Sequence, residues 1–126
     1  MRLLLDTHAL LWALGAPARL PDAAAKAISD PDNEVFASAA SIWEIAIKAA
    51  LGKVSADVDE IVDSLPEAGF DPLDVTVDHA RRVRRLPPHH RDPFDRLFVA
   101  QSLEEGLVIV TRDGAFAPYK VPTLWV

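Results

Sequence analysis

Four acidic residues are candidates for a shared chemical site, namely Asp6, Glu44, Asp95 and Asp113. Four carboxylates gathered at one point repel one another strongly unless a cation lies between them. Hard divalent ions such as Mg²⁺ or Mn²⁺ take carboxylate and water oxygens in octahedral geometry and keep positions open for phosphate oxygens. If the four acids meet in the fold, they predict a divalent-cation site for chemistry on a phosphate ester.

Most of these acids also have a structural explanation when each is considered alone. Asp6 follows an apolar run and is suited to cap the next helix, and Asp113 fits a turn. Asp92, Pro93 and Asp95 form a typical helix start, with Asp92 as the cap and Asp95 favoured by the helix dipole. A chemical role for these acids therefore requires that the fold bring their side chains together.

Glu44 has two structural alternatives. Ser41 and Glu44 have the spacing of a capping box, in which the serine caps a helix and the glutamate bonds back to it. Lys48, four residues after Glu44, offers an ion-pair partner on the same helix face. The surrounding helix is almost wholly apolar, however, and a carboxylate there is costly unless it is paired or binds a cation.

Short apolar segments alternate with helical ones along the chain, which predicts an α/β sandwich around a parallel sheet. The apolar segments at residues 2–5 and 107–110 are predicted as buried strands. Weaker strands are predicted at residues 35–37, 70–75 and 123–126, and helices from about His8 and over residues 23–29, 41–51, 58–65, 78–86 and 93–105. Asp6 and Asp113 follow the two clearest strands, so both are expected at the carboxyl edge of the sheet, where ligands bind.

Four stretches of the chain make it recognisable. They are Leu4-Leu5-Asp6-Thr7-His8, Ser41-Ile42-Trp43-Glu44-Ile45 with Lys48 and Gly52-Lys53, His90-Arg91-Asp92-Pro93-Phe94-Asp95-Arg96, and Val110-Thr111-Arg112-Asp113. In this order and spacing they resemble the PIN-domain ribonucleases, and among them the VapC-type toxins of bacterial toxin–antitoxin pairs. The resemblance extends along nearly the whole chain.

The resemblance implies a three-layer α/β/α sandwich, formed by a single domain over residues 1–126, and endonucleolytic cleavage of RNA. The family's acidic quartet falls on Asp6, Glu44, Asp95 and Asp113, with Mg²⁺ as the expected cofactor and Mn²⁺ as a possible substitute. We expect Asp6 and Asp95 to be direct ligands. Asp92 is expected to cap a helix, with outer-shell ligation of the metal as the alternative. A small cognate antitoxin and a homodimer are the implied protein partners.

The histidines and tryptophans are assigned structural roles. His89 and His90 are expected to be exposed loop residues, because a lone histidine pair lacks the further ligands that zinc needs. The tryptophans are expected in the core or in an interface; they are Trp12, Trp43 and Trp125.

Residues 81–96 contain six arginines against two aspartates, although the chain as a whole is acidic. This basic stripe is predicted to guide the RNA backbone toward the acids. Its proposed contacts are Arg82, Arg85, Arg91 and Arg96, with Arg96 nearest the chemistry. The alternative is that these arginines pair with the excess acids of the protein body.

Composition limits the remaining classes of function. The chain has 126 residues, a net charge of −6, 50% hydrophobic residues and no cysteine. These values are typical of a globular domain and exclude a disulfide scaffold, a thiolate zinc site and cysteine catalysis. No apolar run approaches the roughly 20 residues that cross a bilayer, so we expect no membrane association and a cytoplasmic location.

Two other functions are compatible with an acidic α/β fold. A phospho-receiver or binding module needs an aspartate at the end of the middle strand, where the predicted strand 35–37 is followed by Ser38. A stable phospho-aspartate after incubation with acetyl phosphate would favour that function. A flap-type DNA nuclease shares the acidic chemistry, and comparing RNA with DNA substrates separates it from a ribonuclease.

Overall fold

A five-stranded parallel sheet forms the centre of the computed structural model, which describes residues 1–125. The strands are β1 (Arg2–Leu5), β2 (Glu34–Ser38), β3 (Phe70–Leu73), β4 (Val108–Val110) and β5 (Thr123–Leu124). The helices are α1 (Thr7–Gly15), α2 (Asp22–Ser29), α3 (Ala39–Ala50), α4 (Val58–Ala68), α5 (Val77–Arg82) and α6 (Pro93–Glu105). Short 3₁₀ turns follow α1, α5 and β4, at Pro17–Arg19, Val83–Arg85 and Gly114–Tyr119.

The strands lie in the order β3-β2-β1-β4-β5, so β1 is central. Its leucines pair with both neighbours, Leu3 lying opposite Val35 of β2 and Val108 of β4. The chain first builds the sheet outward from β1 through β2 to β3, and then returns to place β4 on the other side of β1. At such a reversal, the connections leave the carboxyl ends of adjacent strands in opposite directions and open a crevice between them.

Two apolar layers cover the two faces of the sheet. On one face, Leu3 and Leu5 pack in a cluster with residues of α1, α2 and α4, among them Leu10 and Leu65. On the other, Leu4 packs in a cluster with α6 and the segment after β4. The alternation follows from the two-residue period of a strand, since leucines at both parities require helices on both sides. The predicted α/β/α sandwich around a parallel sheet is therefore confirmed.

The two outer strands of the sheet are short. β3 has four residues and includes Pro72, which lies opposite Ala37 of β2. β5 has two residues and pairs with β4 on one side. Proline has no N–H group to offer a further strand and is tolerated mainly at sheet edges.

The predicted elements are present, with shifts at their ends. The helix predicted at 78–86 becomes α5 and a 3₁₀ turn that ends at Arg85. Val126, included in the predicted last strand, lies outside the described residues. None of the helices in residues 1–125 is long and apolar enough to span a lipid bilayer.

The start of α3 differs from the prediction. The helix begins at Ala39, and its cap is Ser38, whose hydroxyl accepts a 3.0 Å hydrogen bond from the amide of Ala40. The capping box of Ser41 and Glu44 is therefore wrong. Since the cap lies three residues earlier, Glu44 is free for contacts with other elements.

Ser38→Ala is expected to lower the free energy of unfolding by about 1 kcal/mol, because it removes the side-chain acceptor at the start of α3. Ser29→Ala is the control, since Ser29 is an exposed serine at the end of α2. That control should change stability by less than about 0.5 kcal/mol. Urea unfolding of both variants measures the difference, and equal stabilities would contradict the assigned cap.

Candidate active site

A cleft of about 540 Å³ opens at the carboxyl edge of the sheet. All four predicted acids line it, and a fifth carboxylate, that of Asp92, joins them. The acids come from four elements: the ends of β1 and β4, the second turn of α3 and the start of α6. The structure thus brings together residues that are more than one hundred positions apart in the chain.

Asp6 is held by the end of β1. Its amide donates a 3.1 Å hydrogen bond to the carbonyl of Val110 in β4, and its carboxylate accepts 2.8 Å from the amide of Ala9. It therefore caps α1 as predicted and lines the cleft as well. Burial raises the pKa of Asp6, against hydrogen bonds from Thr111 and Ala9 that lower it, and the negative charge of Asp113 raises it further.

Glu44 is fixed by two contacts on separate carboxylate oxygens. Oε1 accepts a 2.6 Å hydrogen bond from the hydroxyl of Thr7, and Oε2 lies 2.6 Å from the ammonium of Lys48. The predicted pair with Lys48 is confirmed. The hydrogen bond to Glu44 raises the pKa of Lys48, so this ammonium stays charged beside a nearly buried carboxylate.

Asp92 and Asp95 open α6. Asp92 caps the helix as predicted, accepting hydrogen bonds from the amides of Phe94 at 2.8 Å and Asp95 at 3.3 Å. Burial raises the pKa of Asp95 to about 7, and the neighbouring charge of Asp92 adds to this increase. His90 has the opposite effect, while Asp6 and Glu44 contribute smaller increases. The charged form of Asp95 is therefore disfavoured first by burial and then by the neighbouring acids.

Asp113 follows β4 and begins a 3₁₀ turn. Its amide donates to the hydroxyl of Thr111 at 2.9 Å, and its carboxylate accepts from the amide of Ala115 at 2.9 Å. The predicted turn role is confirmed. About half of the side chain remains exposed, so the carboxylate also faces the cleft.

His90 contradicts its predicted exposure. Its side chain is only 21% exposed, and its Nε2 lies 2.8 Å from Oδ2 of Asp95 and 3.8 Å from Oδ2 of Asp113. Donor atoms of these three residues lie within 4.8 Å of one another, a spacing that a cation can bridge. His89 is exposed, as predicted.

The second ring nitrogen of His90 determines its chemistry. Nδ1 accepts a 3.2 Å hydrogen bond from the amide of Asp92, so a neutral ring carries its proton on Nε2. A protonated Nε2 offers no lone pair to a metal, and it lies close to both carboxylates without meeting hydrogen-bond geometry to either. We therefore interpret His90 as a partner of Asp95 and Asp113 rather than as a ligand.

The four predicted RNA-contacting arginines do not line this cleft, among the residues that the structure describes. Arg82 lies 2.8 Å from Glu104, which matches the alternative that the stripe pairs with acids of the body. Arg96 donates to the carbonyls of Val83 and Pro87, so its guanidinium holds the end of the preceding turn. Arg85 and Arg91 are exposed.

Two cations that the sequence analysis did not assign to RNA line the cleft instead. They are Lys48, which pairs with Glu44, and Arg112, which precedes Asp113. The sequence analysis included Arg112 in the stretch Val110-Thr111-Arg112-Asp113 but assigned a chemical role only to Asp113. His8 also lines the cleft, but it is not among the three residues whose donor atoms lie within 4.8 Å of one another.

Five carboxylates in one cleft form an oxygen-rich donor set. The raised pKa values of Asp6 and Asp95 show that these groups lose solvation and face other negative charges. A bound divalent cation would offset both effects, and hard cations prefer such oxygen donors. The residues present therefore fit a metal-dependent site at the sheet edge.

The chain belongs to the PIN domain family, which matches residues 3–121. Ribonuclease VapC22 of Mycobacterium tuberculosis is 30% identical over 128 residues, covering 97% of each chain. Similar folds occur in VapBC2 from Rickettsia felis bound to a promoter DNA fragment (TM-score 0.73, 14% identity, 98% of both chains). VapBC-5 from M. tuberculosis is also similar (TM-score 0.63, 22% identity, 99% of this chain and 98% of that one). The resemblance noted in the sequence is confirmed.

Asp95→Asn is expected to raise the melting temperature of the metal-free protein, and more so at pH 8 than at pH 5. The raised pKa lets the folded state keep a proton that the unfolded state releases from about pH 4. The contribution of protonated Asp95 to folding stability is therefore complete below about pH 4. It is lost as pH rises through about 7. Asparagine removes the charge and its repulsion.

Thermal unfolding in EDTA at the two pH values measures this effect. Asp71→Asn is the control, because Asp71 is an exposed aspartate on β3, away from the cleft. It should show little change at either pH. An Asp95→Asn protein that melts at or below the parent temperature at pH 8 contradicts the assigned repulsion.

Proposed function

We propose that this PIN-domain protein is a Mg²⁺-dependent endoribonuclease and the toxin of a toxin–antitoxin pair, with Mn²⁺ as a substitute cofactor. The observation that carries the proposal is the convergence of five carboxylates on the cleft beside β1 and β4. The relative named Ribonuclease VapC22, similar along almost its full length, supports RNA as the substrate.

Asp6 and Asp95 would hold the cation directly, with Glu44 and Asp113 completing the site. When bound, the cation would activate a water for in-line attack and offset negative charge on the phosphoryl oxygens. The quartet's side chains lie on rigid elements, which suits a site that must keep its geometry while the substrate binds.

The surrounding residues orient the acids. Thr7 and Lys48 each donate to one oxygen of Glu44, which fixes the plane of that carboxylate. Nε2 of His90 lies 2.8 Å from Oδ2 of Asp95, so the ring restricts the space into which that carboxylate can turn. These contacts reduce the conformational freedom that the acids would otherwise lose on binding a cation.

The receiver alternative conflicts with the fold. Flavodoxin-like receivers have the strand order 2-1-3-4-5, whereas this sheet has the order β3-β2-β1-β4-β5. The DNA nuclease alternative shares the acidic site and is separated by substrate choice.

Purified protein is expected to cleave single-stranded RNA in Mg²⁺ or Mn²⁺ and to stop when EDTA is in excess. Asp6→Asn and Asp95→Asn should each reduce the rate by more than about 100-fold, because each removes a proposed cation ligand. The exposed Asp71→Asn is again the control and should keep the parent rate.

Cleavage of equal-length RNA and DNA of the same sequence is followed by gel electrophoresis. Preferential cleavage of DNA would establish the flap-type alternative. Cleavage at the parent rate in EDTA, or by either site variant, contradicts the proposed metal site.

A cognate antitoxin is the second part of the proposal. The structural neighbours described above are named as VapBC complexes, and an exposed acidic cleft offers a basic partner side chain a strongly favourable site. We propose a small protein that covers the cleft. Placement in the cytoplasm follows from this function, since the RNA and the partner are found there.

Expression of this chain alone is expected to arrest growth, and co-expression of the neighbouring gene should restore it. The untagged neighbour should also co-purify with the tagged chain, because an antitoxin that blocks the cleft must bind stably. Expression of Asp95→Asn alone is the control and should permit growth. Unrestrained growth of cells that express the parent chain alone counts against the toxin assignment.

We also propose a homodimer. Trp43 and Ile47 of α3 and its C-cap Leu51 follow one another at helical spacing and remain 61%, 38% and 64% exposed. Trp43 packs edge-on against Phe94 at the start of α6, which extends the apolar surface toward the cleft. A row of large apolar side chains on one helix face is typical of a surface buried by association.

A further inference from the structure

Arg112 is the cation of the cleft that no acid holds. Lys48, the other basic residue in the lining, contacts Glu44 at 2.6 Å. Arg112 is exposed and forms no salt bridge within the described residues. An uncommitted guanidinium beside five carboxylates is notable, because those acids would attract it if the fold left it free to turn toward them.

The guanidinium of Arg112 packs on an aromatic ring. Its guanidinium carbon lies over the Trp12 ring, 5.2 Å from the centroid. Trp12 is half-buried and packs against Trp125 and His8, with ring centroids 5.4 and 5.1 Å away. A cation over an indole face is stabilised by the ring quadrupole, so the packed tryptophan fixes where the guanidinium lies.

The backbone of Arg112 is also anchored. Thr111, just before it, donates its amide to the carbonyl of Leu124 in β5 at 3.1 Å. Asp113, just after it, is tied to the hydroxyl of Thr111. The same short segment therefore presents one acid of the quartet, Asp113, and one cation, Arg112, to the cleft from consecutive positions.

We propose that Arg112 is a substrate-contacting residue that binds a backbone phosphate of the RNA next to the cleaved bond, and that Trp12 is its positioning residue. This inference rests on the proposed function. A phosphodiester that approaches five carboxylates is repelled, and a guanidinium offers it two parallel N–H donors. The neighbouring phosphate is the chemical group that this rim position fits.

Arg19 provides a matched control. Its guanidinium also lies over the Trp12 ring, 4.4 Å from the centroid, but it does not line the cleft. Arg19→Ala therefore removes the same kind of contact with the ring and leaves the cleft intact. Arg112→Lys keeps the charge but loses the two-donor geometry.

The experiment measures binding of a fluorescein-labelled single-stranded RNA of mixed sequence, in Ca²⁺ to prevent cleavage, across a range of salt concentrations. Arg112→Ala should weaken binding about tenfold or more and reduce the slope of log K against log[salt] by roughly 0.7. Arg112→Lys should keep the slope with weaker binding, and Arg19→Ala should match the parent. Trp12→Phe, which keeps a smaller ring, should weaken binding less than Arg112→Ala and keep the slope.

Cleavage kinetics in Mg²⁺ distinguish the outcomes. Arg112→Ala should raise KM with a smaller change in kcat. The reason is that the proposed contact is with the neighbouring phosphate and not with the phosphate that reacts. If the parent cleaves RNA and Arg112→Ala retains the parent slope and KM, the role of Arg112 is overturned while the proposed function stands. If the parent neither binds nor cleaves RNA, the proposed function fails and this inference fails with it.

Discussion

Repulsion among carboxylates at one edge of the sheet is the constraint around which this protein is built. Asp6, Glu44, Asp92, Asp95 and Asp113 line one cleft, and the pKa of Asp95 rises to about 7 under burial and neighbouring charge. Such an arrangement lowers stability and persists only because the elements that carry it are packed elsewhere. The leucines of β1, buried on both faces, provide that packing directly beneath the site.

The fold reduces this repulsion with contacts that are specific to each acid. A hydroxyl and an ammonium meet the two oxygens of Glu44, helix amides meet Asp6 and Asp92, and the ring of His90 lies against Asp95. No acid is left without a donor or cation nearby, within the described residues. The cleft thus combines an oxygen-rich lining with contacts that offset part of its internal repulsion.

The sequence predicted the parts of the site that depend on local pattern. Asp6 and Asp113 were predictable because each directly follows an apolar strand, and parallel strands end at a common edge. For Glu44, the predicted pair with Lys48 is present but the capping box with Ser41 is wrong, since the cap of α3 is Ser38 and helix boundaries depend on tertiary contacts. His90 was missed because its position depends on how a loop packs between α5 and α6, which no local spacing encodes.

The outer strands of the sheet limit how the protein can associate with other chains. Pro72 lies on one outer strand and the other has two residues, so neither border offers a long run of free backbone groups. Association by extending the sheet, the route by which many proteins swap strands or grow into fibrils, is therefore disfavoured at both borders within the described residues. Contacts with partners are therefore expected to be made by side chains, at the cleft and on the helical layers, rather than by backbone groups of the sheet.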